Sequence, residues 1–141
     1  MAKVIYTAKA TVTGGRENGH GVTDDGALDI QLRPPTDGGG TNPEQLFAVG
    51  YAACFEGALG AVGRRQKLEL GEVSIASSVS LITTDDRGYT ISAELDVTVP
   101  GVDADAAVEV VRAAHGVCPY SNATRGNIEV SLIANGQAVV L

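Results

Sequence analysis

The sequence predicts an α+β fold, with antiparallel strands around one long buried central helix and a second helix beside it. Three observations lead there. Runs of alternating apolar and polar residues, joined by glycine- and asparagine-rich turns, have the period of half-buried strands. One stretch, from Asn42 to about Gln66, is apolar around most of its circumference and opens with a strong helix start. The strand blocks are separated by helices and hairpins rather than repeating as βαβ units. At 141 residues the chain reads as a single domain, residues 1–141, large enough for a core without disulfide or metal staples.

The elements follow in order. Tyr6, Ala8, Ala10 and Val12 alternate with Lys9, Thr11 and Thr13 as a first strand. Gly14 to Gly19 is a glycine-framed loop carrying Arg16, and His20 to Thr23 is a short extended piece. Asp25-Gly26 is a hairpin turn, after which Leu28, Ile30 and Leu32 mark the next strand. Pro34 to Gly40 is compatible only with a loop. Asn42 as N-cap, Pro43 at the first helical position and Glu44 in the first turn then start the long helix. Val73 to Leu81 and Tyr89 to Val99 alternate as a strand pair across the turn Asp85-Asp86-Arg87-Gly88. Asp103 caps a second helix reaching about His115, with Gly116 as its stop. Cys118 falls in the loop that follows, VCPYSNATRGN. A last strand, Ile128 to Ala134, turns at Asn135-Gly136 into Gln137 to Leu141.

Composition narrows the function classes. A formal charge of −7 disfavours nonspecific binding to nucleic acid or to an anionic membrane. The apolar run from Leu46 to Val62 is short for a span and is broken by Glu56 and by Gly50, Gly57 and Gly60, so a buried helix is expected, not a membrane segment. The N-terminus alternates like a strand and has no uninterrupted apolar h-region, which points to a cytoplasmic protein without a signal peptide. The two cysteines lie far apart, with neither disulfide-scaffold nor paired zinc-ligand spacing. His20 and His115 are expected to make local hydrogen bonds, and no metal or bound cofactor is expected.

Cys54 and Cys118 pose the central question. A free cysteine in an apolar helix often serves as a small hydrophobe, and burial alone raises its pKa and leaves it inert. The dipole of the long helix gives little help, because Cys54 lies about three turns inside it and the effect fades within the first turn. A reactive Cys54 therefore needs a cation delivered from elsewhere. Arg16, in a flexible Gly-Gly-Arg loop, is the best candidate, the alternative being a solvated turn arginine. Arg64, Arg65 and Lys67 cluster at the far end of the helix, and nothing singles out Arg33.

The segments TGGREN, GTNPEQLFAVGYAACF and VCPYSNATRGN, in this order and at these separations, resemble the organic hydroperoxide resistance family of the Ohr/OsmC superfamily. The resemblance spans nearly the whole chain, and CPYSNATRGN is similar to the hydroperoxide-resistance branch rather than to its osmotically inducible relatives. It implies a thiol peroxidase with Cys54 as peroxidatic cysteine, Cys118 as resolving cysteine, and Arg16 with Glu44 as activating pair. It also implies an intertwined homodimer and recycling by a dithiol, dihydrolipoamide or a lipoylated protein. Glu17, beside Arg16, is a competing carboxylate for the guanidinium. A thiol of pKa ~8.5 is about 3% ionised at pH 7, so lowering it to ~5.5 gains only about thirtyfold. Most of any rate enhancement must then come from stabilising the transferring oxygen, for which a rigid guanidinium is suited.

Leu46, Phe47, Tyr51 and Phe55 are candidates for an apolar pocket selecting alkyl or lipid peroxides, and each has simple core packing as its alternative. Glu44 and Cys54 are ten residues apart on one helix. That is roughly 15 Å along the axis and, at about 100° per residue, a different face. One straight helix does not readily present both to a single Arg16. Two such helices crossing antiparallel in a homodimer would bring Glu44 of one chain toward Cys54 of the other. Competing expectations are an osmotically inducible peroxidase or redox sensor of the same superfamily, and a non-catalytic small-ligand-binding dimer with inert thiols.

Overall fold

The computed structural model describes residues 2–86 and 88–141; Arg87, assigned from sequence to a turn, lies outside them. The chain is α+β, with two sheets and three helices, and divides into two compact units at Leu46/Phe47.

The first unit is a three-stranded antiparallel sheet of β1 (Ala10–Thr13), β2 (Gly19–Thr23) and β3 (Asp29–Leu32), in the order β1-β2-β3. Thr13 pairs with His20 and Gly19 with Leu32, which places the loop 14–18 at one end of the sheet. Among the described residues the alternation from Tyr6 to Ala8 pairs with no strand; the Lys9 carbonyl accepts the Asp24 N–H at 3.0 Å, β1 begins at Ala10, and Val4, Ile5 and Tyr6 are exposed. Alternation specifies which face a strand would bury, but a strand also needs an edge to pair with.

Helix α1 (Pro43–Gln66) starts in the first unit and continues into the second. Its start is as expected from the sequence: Asn42 Oδ1 accepts the Gln45 N–H at 2.9 Å, and Pro43 occupies the first position, where no N–H is needed. By length and composition α1 is apolar enough to cross a membrane. In the second unit, however, its Tyr51, Phe55, Leu59 and Val62 are buried in the core.

That core lies between α1, a four-stranded sheet and helix α2 (Ala104–Val117). The sheet has the order β4 (Ser74–Thr84), β5 (Gly88–Thr98), β6 (Val130–Ala134), β7 (Gln137–Val139). Leu95, Val97 and Leu132 project from it into the core. Asp103 caps α2 through a 2.8 Å bond from the Ala106 N–H, and Ala107, Val110, Val111 and Ala114 form its buried stripe at helical spacing. Two differences from the sequence reading concern the joints. β5 and β6 pair in parallel, so the helices between them form one crossover unit within an otherwise antiparallel sheet. Helix α2 also runs past Gly116 to Val117, and the predicted loop after it contains a short third helix, α3 (Pro119–Thr124). Pro119 supplies the physical reason: it has no N–H to continue α2, but its fixed φ suits the first position of a new helix.

Candidate active site

In the first unit, the loop 14–18 presents Arg16. Gly14 and Gly15 both take positive φ, 78° and 68°, and a Cβ at Gly14 would collide with the Asn18 carbonyl oxygen. The same crowding applies to Gly19 against the Gly15 carbonyl. The glycines thus allow a tight return between β1 and β2 with Arg16 in the middle of the loop. The Arg16 guanidinium donates to Glu44 Oε1 in the first turn of α1. Among the described residues its ion-pair partner is Glu44, not the adjacent Glu17. The arginine side chain is 43% exposed and the glutamate 17%, so the carboxylate is the anchored member and the guanidinium the one open to a ligand. Leu46, half-buried, lies in the same first turn of α1, its N–H bonded to the Asn42 carbonyl at 3.1 Å.

In the second unit, Cys54 on α1 is half-buried and Cys118, at the junction of α2 and α3, has no exposed surface. Both thiols are free. The two sulfurs lie close enough to act on each other's ionisation, and the Tyr120 backbone N–H acts on the Cys54 sulfur. Burial pushes the Cys54 thiol above the usual thiol range, and the adjoining Cys118 adds to the rise. The Tyr120 N–H acts in the opposite direction by stabilising the anion, but less strongly than burial. This places one accessible and one sequestered sulfur in contact, with a backbone donor next to the accessible one.

An aromatic group forms from residues on the same segments as the two cysteines. Phe47, Tyr51 and Tyr120 pack with ring centroids 5.6–5.9 Å apart, and Phe55 follows Tyr51 at 6.5 Å. Gly50 makes room for it, because a Cβ there would stand 3.1 Å from the Tyr120 hydroxyl. Of the apolar pocket candidates in this unit, Tyr51 and Phe55 are fully buried, whereas Phe47 is half-buried. Phe47 lines a surface groove of about 350 Å³ together with Leu81, Tyr89, Ile91 and Ile128.

Three polar residues that the sequence reading did not connect lie beside the cysteines. Tyr51 Oη is 2.8 Å from Ser121 Oγ, and Ser121 Oγ is 2.9 Å from His115 Nδ1. All three side chains are buried. Burial, with the nearby Arg125 cation, holds the His115 pKa below the usual imidazole range, which favours the neutral ring. Arg125 donates to the His115 carbonyl and, at 2.9 Å, to Asn122 Oδ1. The available signal was spacing: Ser121 follows Cys118 by three residues, as Cys54 follows Tyr51. His20 is an exposed strand residue, its Nε2 2.6 Å from Asp29 Oδ1. Among the described residues no three His, Cys, Asp or Glu side chains group as metal ligands.

Comparison with known proteins shows the family of the chain. The family model for OsmC-like proteins matches residues 36–133. The organic hydroperoxide resistance protein of Xanthomonas axonopodis pv. citri is 57% identical over 136 residues, spanning 92% of this chain and 94% of that protein. The organic hydroperoxide resistance protein OhrB of Bacillus subtilis is 48% identical over 133 residues, spanning 91% and 96%. Its crystal structure superimposes with a TM-score of 0.86 over 92% of this chain and 98% of that one, at 47% identity. The crystal structure of an organic hydroperoxide resistance protein from Legionella pneumophila gives a TM-score of 0.89 at 47% identity, covering 93% and 98%. The chain belongs to the OsmC-like family and, within it, to the organic hydroperoxide resistance proteins.

Proposed function

We propose that this chain is a thiol peroxidase that reduces organic hydroperoxides to alcohols in the response to oxidative stress. The observation that carries this reading is the contact between a half-buried Cys54 thiol and a fully buried Cys118 thiol. The accessible sulfur is the one a peroxide reaches first, and the sequestered sulfur is available only to Cys54. The names of the relatives support the substrate class.

The Cys54 thiolate attacks the distal oxygen of ROOH. The O–O bond breaks, the alkoxide leaves as ROH after taking a proton, and Cys54 becomes a sulfenic acid. Cys118 then displaces hydroxide from that sulfur, which leaves as water with the Cys118 proton, and a disulfide forms. An external dithiol returns both cysteines to thiols by exchange; dihydrolipoamide, free or on a lipoylated protein, is the donor assigned here. Because burial pushes the Cys54 thiol up, the reaction requires a cation to ionise it. Arg16, held by Glu44, takes that role and stabilises the transferring oxygen. The groove lined by Phe47 accommodates the apolar part of the substrate.

The working unit in this proposal is a cytoplasmic homodimer. Val49 on α1 is 71% exposed, and a Cβ at Gly57, two turns on along the same stripe, would meet nothing within 4 Å. An apolar helix with one uncovered face suits antiparallel packing against its copy. The cysteine roles are tested by Cys54→Ser and Cys118→Ser. The first should abolish turnover of cumene hydroperoxide with a dithiol; the second should permit a single turnover and then accumulate oxidised Cys54. Full turnover by Cys54→Ser would end the proposal.

A further inference from the structure

Helices α1 and α3 meet at two points that run side by side. On α1, Tyr51 and Cys54 are three residues apart; at α3, Cys118 and Ser121 are also three apart. Three-residue spacing puts each pair on one helix face, about a turn apart. The Tyr51 and Ser121 hydroxyls hydrogen-bond at 2.8 Å, and the Cys54 and Cys118 sulfurs lie close enough to act on each other's ionisation. The hydroxyl contact is therefore a strut parallel to the thiol contact. Ser121 has a second partner, His115 Nδ1 at 2.9 Å, three residues before Cys118 on α2. One serine thus ties together the three helices that bracket the buried thiol, and it has no exposed surface. The imidazole tautomer sets the polarity of this chain: with Nδ1 unprotonated it accepts the Ser121 O–H and Ser121 accepts the Tyr51 O–H, and with Nδ1 protonated the order reverses.

We infer that Ser121 is a positioning residue for the resolving step, holding Cys118 against Cys54 so that the disulfide closes before a second peroxide molecule reaches the sulfenic acid. The inference rests on the two-cysteine peroxidase proposed above. Its chemistry adds no reactant: the Cys54 S–O bond breaks, the S–S bond forms, and the hydroxide leaves as water with the Cys118 proton. A disulfide requires Cα atoms about 4.4–6.8 Å apart with the Cβ vectors facing. Cys118 ends one helix and caps the next, so a small rotation of α3 is enough to lose that geometry. The competing explanation is a buried polar network that serves folding alone.

The test separates the two steps in the full-length protein. Reduced parent, Ser121→Ala and Tyr51→Phe are mixed with cumene hydroperoxide under rapid quench, and sulfenic acid, disulfide and sulfinic acid at Cys54 are followed by dimedone trapping and mass spectrometry. In Ser121→Ala, sulfenic acid should form within about threefold of the parental rate while disulfide closure slows roughly ten- to a hundredfold, the scale of an ångström-level misplacement. Dimedone adducts and sulfinic acid at Cys54 should then appear at lower peroxide excess. Tyr51→Phe removes the same strut from the other side, so its ratio of closure to oxidation rate should fall in the same direction. The double variant should close no more slowly than Ser121→Ala alone. Should Ser121→Ala fail to fold, Tyr51→Phe decides by itself. Parental closure rates in both variants, or equal slowing of oxidation and closure, would overturn the inference. A parent that loses no thiols would instead refute the peroxidase proposal, and the inference with it.

Discussion

At the residue scale the chemistry depends on opposing influences on one sulfur. Burial and the neighbouring Cys118 push the Cys54 thiol up, and the Tyr120 N–H only partly offsets them. A thiol in that setting reacts through a small ionised fraction, so its rate climbs as pH rises toward its pKa. If Arg16 both ionises Cys54 and steadies the transferring oxygen, Arg16→Ala should move the pH–rate curve to the alkaline side. It should also leave a lower plateau, because ionisation at high pH does not replace the guanidinium in the transition state. A plateau equal to the parent's would confine Arg16 to ionisation, and a superimposable curve would remove it from the site. Arg16 and its partner Glu44 could both be named from local context, a glycine-framed loop and a helix start, and they pair in the structure. The Tyr51–Ser121–His115 chain could not be named that way. Tyr51 and Ser121 are seventy residues apart, and each is unremarkable beside its sequence neighbours.

At the element scale, turns and caps were the legible features. Asn42-Pro43 starts α1 and Asp103 starts α2 because each presents a side-chain acceptor or a missing donor where the helix leaves N–H groups unpaired. Asn135-Gly136 turns β6 into β7 with both residues at positive φ, 47° and 84°, the backbone that such a two-residue hairpin demands. Asn135 also braces the strand end: its Oδ1 accepts the Val99 N–H at 2.7 Å, and its Nδ2 donates to the carbonyls of Val99 and Val102. Asn135→Ala should cost about 2–4 kcal/mol in urea unfolding, from the orphaned groups at buried Val99 and the left-handed backbone. Asn135→Gly relieves only the backbone part, so it should be destabilised by less, and a neutral Asn135→Ala would contradict this account of the turn. Helix α3 was not legible because Ser, Asn and Thr within six residues have the composition of a turn. Its only local mark is Pro119 at the first position.

At the scale of the whole molecule, two apolar features are uncovered among the described residues. Val4, Ile5 and Tyr6 are exposed, and so is the α1 stripe through Val49. The alternation from Tyr6 onward was legible as a strand, whereas its missing partner was not, because pairing is a property of the assembly and not of the segment. A homodimer would cover these surfaces. Since Arg16 and Glu44 pair within one chain, they would be supplied together to the partner's Cys54. Mixing Glu44→Ala chains with Cys54→Ser chains tests this, because a heterodimer with shared sites contains one intact site and should recover activity that neither homodimer shows. No recovery in confirmed heterodimers would place the whole site within one chain.

The central claim, that Cys54 and Cys118 form a working peroxidatic and resolving pair, is tested most directly by treating the reduced protein with one equivalent of cumene hydroperoxide. Intact mass and thiol content are then read under denaturing conditions. The account predicts consumption of the hydroperoxide, loss of both thiols and of two hydrogens per chain, and a single peptide cross-link joining Cys54 to Cys118. Both thiols still titratable, with the hydroperoxide unconsumed, would contradict it.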